Sequence, residues 1–321
     1  MVITDVKVIP ARRFLFVQIE TDAGISGVGE SGMWGFLLAS GEAIRSFRSY
    51  LIGKNPLDIE HHWQYMYRCY YFRGSAVMAA VSAIDIALWD IAGKYYNTPV
   101  YRLLGGKVRN KIKTYYHVSG KSTEALFKGC CEAKALGFSA IGHVCPFLDT
   151  PRTEPATDGY SGKIHDAVDR VRMIRDEIGY DVDLCLELHR RLTPAEAISF
   201  GNRVEPYLPM FLEDPIRPDN FDSMAQVAEK ITTPIATGER ICSLQEFEML
   251  FSRKAMSYAR VSPGLCGGIT GVMKIAHMAE AYGILLAPHN AFSPVMTATC
   301  VQLGAAIENM GVLELCSVLV M

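Results

Sequence analysis

Three glutamates recur at one interval in this chain. Glu187, Glu213 and Glu239 are separated by 26 residues each, and each lies at or just after a short apolar run. This interval is about the length of one strand, one helix and the two loops of a crossover unit. Because successive parallel strands end at the same edge of a sheet, we expect the three carboxylates of this glutamate ladder to converge. Such a cluster needs a cation, and oxygen ligands favour a hard one such as Mg²⁺.

The segments around the ladder alternate between strand and helix patterns. Thr193, Pro194 and Glu196, for example, form a helix start of the capping-box kind directly after an apolar run. From residue 111 the pattern predicts eight strands and seven helices, which favours a β/α barrel. The strands are expected at 111–118, 137–144, 181–188, 208–213, 234–238, 257–261, 284–287 and 311–315. The helices are expected at 122–136, 163–178, 194–206, 220–230, 243–251, 268–282 and 294–308.

The first 110 residues have a different pattern. Three short strands with turn residues between them predict an antiparallel meander, and the glycines of TDAGISGVGE are interpreted as turn glycines. Helices are expected at 40–51, 56–69 and 82–96. We therefore predict an α+β domain at 1–110, a barrel domain at 111–315 and a short C-terminal remnant at 316–321.

The composition favours a cytoplasmic enzyme that acts on a small molecule. The net charge of −2 gives no reason to expect nucleic acid or an anionic membrane as a partner. No apolar run approaches about 18 residues, and the N-terminus lacks a basic stretch followed by an apolar one. The nine cysteines include no CxxC pair, so reduced thiols are expected rather than disulfides.

Two histidines and a fourth glutamate extend the series. His189 follows Glu187 by two residues, so strand alternation predicts that both side chains point inward. His289 follows Glu239 by 50 residues and Glu314 follows His289 by 25, close to multiples of the same interval. All these groups are expected at the carboxyl-end mouth of a barrel. A metal flanked by two histidines there suits proton removal and acid catalysis.

Structural roles compete with these functional ones. A lone glutamate at a strand end is more often an ion-pair partner than a ligand, and the equal spacing of three favours the metal. His189 and His289 are candidates for catalysis, with packing or a loop hydrogen bond as the alternative. His117, His143 and Arg240 are candidates for substrate contacts, although loop polarity or an ion pair also accounts for each.

The chain resembles the enolase superfamily, in particular its mandelate-racemase-like branch of acid-sugar dehydratases. The resemblance covers nearly the whole chain and rests on SAIDIALWDIAGK, PVYRLLGGKVR, GFSAI, ELHRRLTPAEA, FLEDP, PIATGER, CGGIT and APHNAFSP. It implies an α/β fold, a modified (β/α)7β TIM-type barrel with an N-terminal α+β capping domain. It also implies Mg²⁺ on three carboxylates and proton abstraction next to a substrate carboxylate, through a metal-stabilised enediolate.

The resemblance implies a role for each residue of the series. The three glutamates of the ladder match the metal ligands. His289 matches the base that ends the seventh strand, and Glu314 matches the acidic group that hydrogen-bonds the enolate oxygen. His189 matches the general acid that mannonate- and galactonate-type dehydratases use for the departing hydroxide.

The residues at the end of the second strand bear on the reaction type. Many racemases and cycloisomerases of the superfamily have a Lys-x-Lys pair there, where this chain has Gly142, His143 and Val144. Without a lysine base, and with His189 on that side of the metal, loss of water from a sugar acid is favoured over racemisation. The expected product is a 2-keto-3-deoxy sugar acid, and sugar-acid epimerisation is an alternative.

Three departures from the family pattern concern activity. Glu187 stands where the family usually has aspartate. Ser262 stands where the family has an aspartate that orients the seventh-strand histidine, and a serine cannot stabilise an imidazolium by charge. The chain stops soon after the eighth strand, so we expect a truncated C-terminal cap segment. A catalytically silent relative that binds metal and sugar acid therefore remains as an alternative.

Substrate specificity is expected from loops around the barrel mouth. These loops are 31–40 and 70–74 in the capping domain and 146–162 in the barrel. The candidate side chains in the cap are Trp34, Phe36, Tyr71 and Arg73. The resemblance also suggests a symmetric homo-oligomer.

Overall fold

The computed structural model describes residues 1–148 and 159–316. The first part of the chain contains β1 (Ile3–Ala11), β2 (Phe14–Thr21), β3 (Ser26–Ser31), α1 (Leu37–Leu51), α2 (Ile59–Arg68), α3 (Ser75–Tyr95) and α4 (Val100–Leu103). The second part contains β4 (Thr114–His117), α5 (Thr123–Ala135), β5 (Ala140–Val144), α6 (Tyr160–Ile178), β6 (Asp183–Glu187), α7 (Pro194–Val204), β7 (Phe211–Glu213), α8 (Phe221–Lys230), β8 (Ile235–Thr237), α9 (Leu244–Ser252), β9 (Tyr258–Ala259), α10 (Gly268–Ala281), β10 (Leu285–Leu286), α11 (Pro294–Ala306) and β11 (Leu313–Leu315). A 3-10 turn at Glu205–Tyr207 follows α7.

The strands of the second part close into a barrel. Their order is β10-β9-β8-β7-β6-β5-β4-β11, and each neighbouring pair runs parallel. A parallel bridge between Leu286 and Met310 joins the two ends of the series. All eight strands therefore end at one mouth. The predicted (β/α)7β barrel with an N-terminal cap is confirmed.

The interior of the barrel is packed below the mouth. Seven fully or nearly fully buried residues form its inner cluster: Tyr115, Ala140, Cys185, Phe211, Ala236, Ala287 and Val312. Tyr115 takes its place because Gly142 on the next strand has no side chain. A Cβ at Gly142 would lie 2.4 Å from Tyr115 Cδ2. The mouth is thus a pocket with a floor rather than a channel.

The cap is an antiparallel sheet, β1-β2-β3, packed on α3. Successive residues of β2 alternate between half-buried and buried, as expected for a sheet with one face on a core. Interpreting all the glycines of TDAGISGVGE as turn residues was wrong for two of them, because Gly27 and Gly29 lie inside β3. A Cβ at Gly27 would lie 2.0 Å from Ala87 O, and one at Gly29 would lie 1.9 Å from Ala83 O. These glycines let β3 approach the helix closely.

Helix α3 begins seven residues earlier than the sequence pattern predicted, at Ser75 rather than Ser82. Its first two turns are apolar on several sides, so they lack the single stripe by which an amphipathic helix is recognised. At 21 residues it is also long and apolar enough to span a membrane by length and composition, contrary to our expectation from the sequence. However, 78% of that segment is buried inside the fold, as in the core helix of a domain.

Two carboxylates of the cap bind the amino ends of barrel helices. Asp85 accepts a hydrogen bond from Thr270 N at the start of α10, and burial raises the pKa of Asp85 to about 7. Glu30 accepts hydrogen bonds from Ser293 N and Met296 N at the start of α11. Backbone N–H groups at a helix start lack partners within the helix, so each carboxylate completes one helix. The cap is fixed over the barrel mouth by these contacts.

Gly268 at the start of α10 should be highly sensitive to substitution. Its φ is +70°, and a Cβ there would lie 2.3 Å from Asp85 Oδ2. We expect Gly268→Ala to reduce the free energy of unfolding by more than about 2 kcal/mol, because backbone strain and the clash with Asp85 add. Denaturant unfolding measures this change.

The matched control lies at the other end of the same helix. Gly283 has a φ of +69° and open space around its Cβ position. Gly283→Ala should therefore cost only the backbone strain, about 1 kcal/mol. Equal losses in the two variants would show that the contact between Asp85 and α10 does not restrain the cap.

Candidate active site

A cavity of about 1570 Å³ opens at the carboxyl end of the barrel strands, beneath the cap. Its lining includes the ladder glutamates, four histidines and several arginines, among them Glu187, Glu213, Glu239, His117, His143, His189, His289, Arg190, Arg240 and Arg260. Glu314 and the cap residues Arg13, Trp34 and Phe36 also line it. The groups that the 26-residue interval predicted to converge do share one cavity.

The ladder glutamates end three consecutive strands. Glu187 and Glu213 are the last residues of β6 and β7 and stand in register across that pair. Glu239 lies two residues beyond the end of β8. Glu187 and Glu213 are almost fully buried, whereas the side chain of Glu239 is 17% exposed. Two carboxylates are thus embedded in the barrel wall and the third lies higher in the mouth.

A buried arginine directly after β9, the sixth barrel strand, holds several groups of the mouth in place. Arg260 Nε donates to Glu213 Oε1 at 2.5 Å, and Nη2 donates to Glu314 Oε2 at 2.7 Å. Nη2 also donates to the Tyr115 hydroxyl, and Nη1 to the carbonyls of Ala287 and Pro288. Five partners match the five N–H groups of a guanidinium. Arg260 therefore fixes Glu213, Glu314 and the backbone just before His289.

A second arginine bridges two carboxylates higher in the mouth. Arg190 Nη1 donates to Asp214 Oδ2 at 2.7 Å and to Glu239 Oε1 at 2.6 Å. Asp214 accepts a further hydrogen bond from Thr237 Oγ1 at 2.6 Å. Within the described chain, no lysine or arginine forms an ion pair with Glu187. Glu187 is thus the ladder carboxylate whose charge lacks a fixed cation.

Burial and like charge dominate the electrostatics of the ladder. Burial and the neighbouring Glu213 and Glu239 raise the pKa of Glu187 well above its usual value. Burial raises the pKa of Glu213 to about 8, because Arg260 offsets it only in part. Burial would also raise the pKa of Glu314, but Arg260 and the nearby histidines outweigh it and lower that pKa. The anionic forms of Glu187 and Glu213 are therefore costly without an added cation.

Three histidines form a contiguous row on one side of the cavity. The rings of His117 and His143 stack with centroids 3.8 Å apart, and His143 meets His189 edge-on at 4.8 Å. His189 N donates to Glu187 Oε1 at 2.5 Å. The prediction that His189 shares the mouth with Glu187 is met, but strand alternation was the wrong reason. Strand β6 ends at Glu187, and His189 has a φ of +50° in the turn that follows.

Positive φ values recur around this mouth. His143, His189, Arg190 and Asp214 have φ values of +56°, +50°, +63° and +40°. Side chains other than glycine rarely adopt this conformation, and such strain concentrates at functional sites. Each of these residues directs its side chain differently from a regular strand residue, which sequence periodicity does not reveal.

His289 lies on the opposite side of the cavity. Its Nε2 is 3.5 Å from Glu239 Oε2, and its ring lies edge-on to Phe292 and to Trp34 of the cap. His289 Nδ1 and Ser262 Oγ are both buried and have no hydrogen-bond partner within the described residues. Ser262, which stands where the family has an orienting aspartate, therefore forms no hydrogen bond with His289 Nδ1.

The cap candidates separate into two groups. Trp34 and Phe36 line the cavity, and Trp34 packs against Phe292 at 5.4 Å. Arg73 and Tyr71 lie outside the cavity lining; Arg73 contacts the hydroxyl and ring of Tyr67, and Tyr71 is exposed. In the barrel loop 146–162, residues 149–158 lie outside the described part of the chain. The same holds for most of the predicted remnant at 316–321.

The donor set fits a hard divalent cation. Glu187, Glu213 and Glu239 offer carboxylate oxygens from three neighbouring strands, and the uncompensated charge of Glu187 calls for a cation. The tightest groupings of ligand atoms, within 4.8 Å of one another, are His117, His143 and Glu314, and His143, Glu187 and His189. Nitrogen-rich groups of that kind favour transition metals. The ladder remains the better match for Mg²⁺.

Sequence reasoning missed Arg190, Arg260 and Asp214. A buried carboxylate cluster needs a compensating cation. Arg260, an arginine directly after the apolar strand segment β9, was therefore a usable signal in the sequence. Arg190 gave no such signal, because its inward direction depends on the positive φ of the turn. Asp214 directly follows Glu213, and only the glutamate fits the 26-residue interval, so the interval gave no signal for the aspartate.

Family comparison places the chain clearly. Residues 2–105 match the mandelate racemase/muconate lactonizing enzyme N-terminal domain, and residues 144–319 match the enolase C-terminal domain-like family. A D-galactonate dehydratase of Cronobacter sakazakii is 36% identical over 298 residues, which are 92% of this chain and 76% of that protein. One from Ralstonia pickettii is 36% identical over 292 residues, 90% of this chain and 75% of that protein.

Comparison with solved structures finds the same family. An enolase superfamily member from Salmonella Typhimurium superposes with a TM-score of 0.92 at 32% identity, over 99% of this chain and 88% of that one. An enolase from Agrobacterium radiobacter, bound to Na and L-malate, superposes with a TM-score of 0.91 at 29% identity, over 98% of this chain and 80% of that one. The chain therefore belongs to the mandelate racemase/muconate lactonizing enzyme family of the enolase superfamily.

Proposed function

We propose that this protein is a Mg²⁺-dependent acid-sugar dehydratase. It removes the proton next to the substrate carboxylate and eliminates water, which gives a 2-keto-3-deoxy sugar acid. The observation that carries the proposal is the placement of His189 and His289 on opposite sides of one cavity that also contains three carboxylates from consecutive strands. The D-galactonate dehydratases at 36% identity support the substrate class.

The ladder glutamates would hold the metal. A bound Mg²⁺ would supply Lewis-acid stabilisation of the charge that develops on the substrate carboxylate. Glu187 is the strongest anchor because its carboxylate lacks a cationic side chain, and Glu213 is held in place by Arg260. Glu239 would be the third ligand, and its Oε1 also accepts a hydrogen bond from Arg190 Nη1.

The two histidines divide the proton transfers. His289 is the base, because its Nε2 faces the cavity beside Glu239 while its Nδ1 lies buried behind. His189 is the acid that protonates the departing hydroxide, from the side of Glu187 and His143. An acid and a base on opposite faces suit elimination across two adjacent carbons.

Glu314 has a supporting role. Burial would raise the pKa of Glu314, but Arg260 and the nearby histidines outweigh it and lower that pKa, so the anionic form is favoured by its neighbours. Glu314 Oε2 accepts from Arg260 and from Asn290 N, and Oε1 lies 3.5 Å from His117 Nε2. We assign it to positioning the backbone around His289 and the ring of His117.

A metal- and sugar-acid-binding protein without turnover is the second candidate. It is favoured by one observation, the unpartnered His289 Nδ1 and Ser262 Oγ. Although Glu239 lies beside Nε2, a histidine base without a carboxylate at Nδ1 lacks the group that orients the ring and stabilises the imidazolium from behind.

Incubation with a panel of C4–C6 aldonic and aldaric acids, D-galactonate included, tests the main proposal. We expect 2-keto acid to form, to disappear with EDTA and to return with Mg²⁺. His189→Asn should lower kcat by about 10²- to 10⁴-fold, the usual contribution of a general acid. A semicarbazide or coupled assay for 2-keto acid measures the product.

Exposed His165 provides the control for the histidine variant, since it lies on α6 and pairs with Asp169. His165→Asn should leave kcat unchanged. Mg²⁺ binding without product on the entire panel would establish the silent alternative, and exchange of the α proton with solvent deuterium without elimination would indicate epimerase-type chemistry.

A carboxylate at position 262 should strengthen the base. We expect Ser262→Asp to raise kcat about tenfold or more and to move the acidic limb of the pH profile to higher pH, because a carboxylate stabilises the protonated imidazole and raises its pKa. Steady-state kinetics across pH 5–9 measure both effects.

Ser262→Asn is the matched control, because the amide has nearly the same shape without the charge. It should leave the pH profile in place. If Ser262→Asp slows the reaction as much as Ser262→Asn, then proton transfer to His289 does not limit turnover.

A further inference from the structure

We propose that Arg190 is a built-in competitor for the metal, which occupies Glu239 until a divalent cation displaces it. This inference rests on the proposed metal site. It concerns how that site is controlled, and it requires Arg190 to release Glu239 while it keeps its contact with Asp214.

The contacts of Arg190 carry the inference. Its Nη1 lies 2.6 Å from Glu239 Oε1, while Glu239 Oε2 faces His289 Nε2 at 3.5 Å. Both oxygens of this ladder carboxylate are therefore engaged by side chains. The Arg190 and Glu239 side chains are only 15% and 17% exposed, so water screens their attraction weakly. A cation that uses Glu239 as a ligand has to compete with the guanidinium.

The backbone holds Arg190 in the competing position. His189 and Arg190 both have positive φ, and Arg190 N donates to Asp214 O at 2.7 Å. Two successive residues in this conformation are costly for side chains other than glycine. The strained turn directs the long side chain back into the mouth, toward the carboxylates, rather than along the wall.

Asp214 is a second, simultaneous partner of the guanidinium. Arg190 Nη1 contacts Asp214 Oδ2 at 2.7 Å, and Asp214 Oδ1 is held by Thr237. When a metal takes Glu239, Arg190 keeps Asp214 as its partner and remains paired. Release from Glu239 thus costs one contact rather than a buried unpaired charge. This difference makes the exchange reversible.

The three ladder glutamates therefore differ in their availability to the metal. Glu187 has no lysine or arginine partner within the described residues, and Glu213 is bound on one oxygen by Arg260. Arg260 is surrounded by five partners and has no alternative site, so it is a fixed part of the wall. Arg190 is the cation that can exchange.

Isothermal titration of the metal-free full-length protein with Mg²⁺ tests this inference directly. Arg190→Gln should bind Mg²⁺ about tenfold or more tightly than the wild type, since the competing cation is gone. Arg190→Lys, which keeps the charge, should stay within about threefold of the wild type. Arg190→Gly is a second neutral variant that favours folding, because glycine suits the φ of +63°.

Arg240 provides the matched control. It lies next to Glu239 in sequence, lines the same cavity and is exposed to solvent. Arg240→Gln removes the same unit of charge nearby, and solvent screening should limit its effect to about threefold. Equal gains in Arg190→Gln and Arg240→Gln would mean that general charge, not competition at Glu239, sets the affinity, and would overturn the inference.

The same titration separates this inference from the proposed function. Unchanged or weaker Mg²⁺ binding in both Arg190→Gln and Arg190→Gly overturns the competitor role while leaving the metal site intact. Absence of binding in all five proteins overturns the metal site and the inference together. Tighter binding in the neutral variants, with no dehydration of any sugar acid, supports the competitor role and contradicts the dehydratase.

Discussion

Charge balance in the barrel mouth is the constraint on which the site depends. Five carboxylates line or support this mouth: Glu187, Glu213, Asp214, Glu239 and Glu314. Arg190 and Arg260 form salt bridges with four of them. Arg260 is fully buried and pairs with Glu213 and Glu314. An isolated carboxylate is not stable in such surroundings, so removing either partner of these pairs would leave an uncompensated buried charge. The placement of Arg260, after β9, between Glu213 of β7 and Glu314 of β11 meets this requirement.

The charge left over gives the site its chemistry. Arg260 pairs with both Glu213 and Glu314, and Arg190 pairs with both Asp214 and Glu239. Glu187 remains without a cationic side chain in the described chain, and its raised pKa expresses that deficit. A divalent cation held by the ladder glutamates would remove the deficit and would supply Lewis-acid stabilisation to a substrate carboxylate. The same imbalance is the physical basis of the proposed metal site and suits acid-sugar chemistry.

The sequence was sufficient for the parts of this picture that depend on spacing. The 26-residue interval predicted that Glu187 and Glu213 end neighbouring strands, because one crossover unit has a nearly constant length. It was insufficient where the backbone leaves the strand. His189 reached the mouth through a turn with positive φ, which has no periodic signature. The partners of Arg260 are 27 to 145 residues away in sequence, so only the closed barrel reveals them.

The cap and the barrel are related by the same kind of interaction. Asp85 and Glu30 bind the starts of α10 and α11, and the cap segment that carries Trp34 reaches over His289. Gly268 permits the first of these contacts because it has no Cβ. The CGGIT segment that supported the family resemblance is therefore the part of the barrel to which Asp85 of the cap binds. It contributes to the site by holding the cap in place.

Anomalous diffraction from crystals soaked in Mn²⁺ would test the central claim most directly. The account predicts one strong peak within coordination distance of carboxylate oxygens from Glu187, Glu213 and Glu239, with the Arg190 guanidinium moved onto Asp214 alone. A peak at His117, His143 and Glu314 instead, or no peak in the mouth at a saturating concentration, would contradict it.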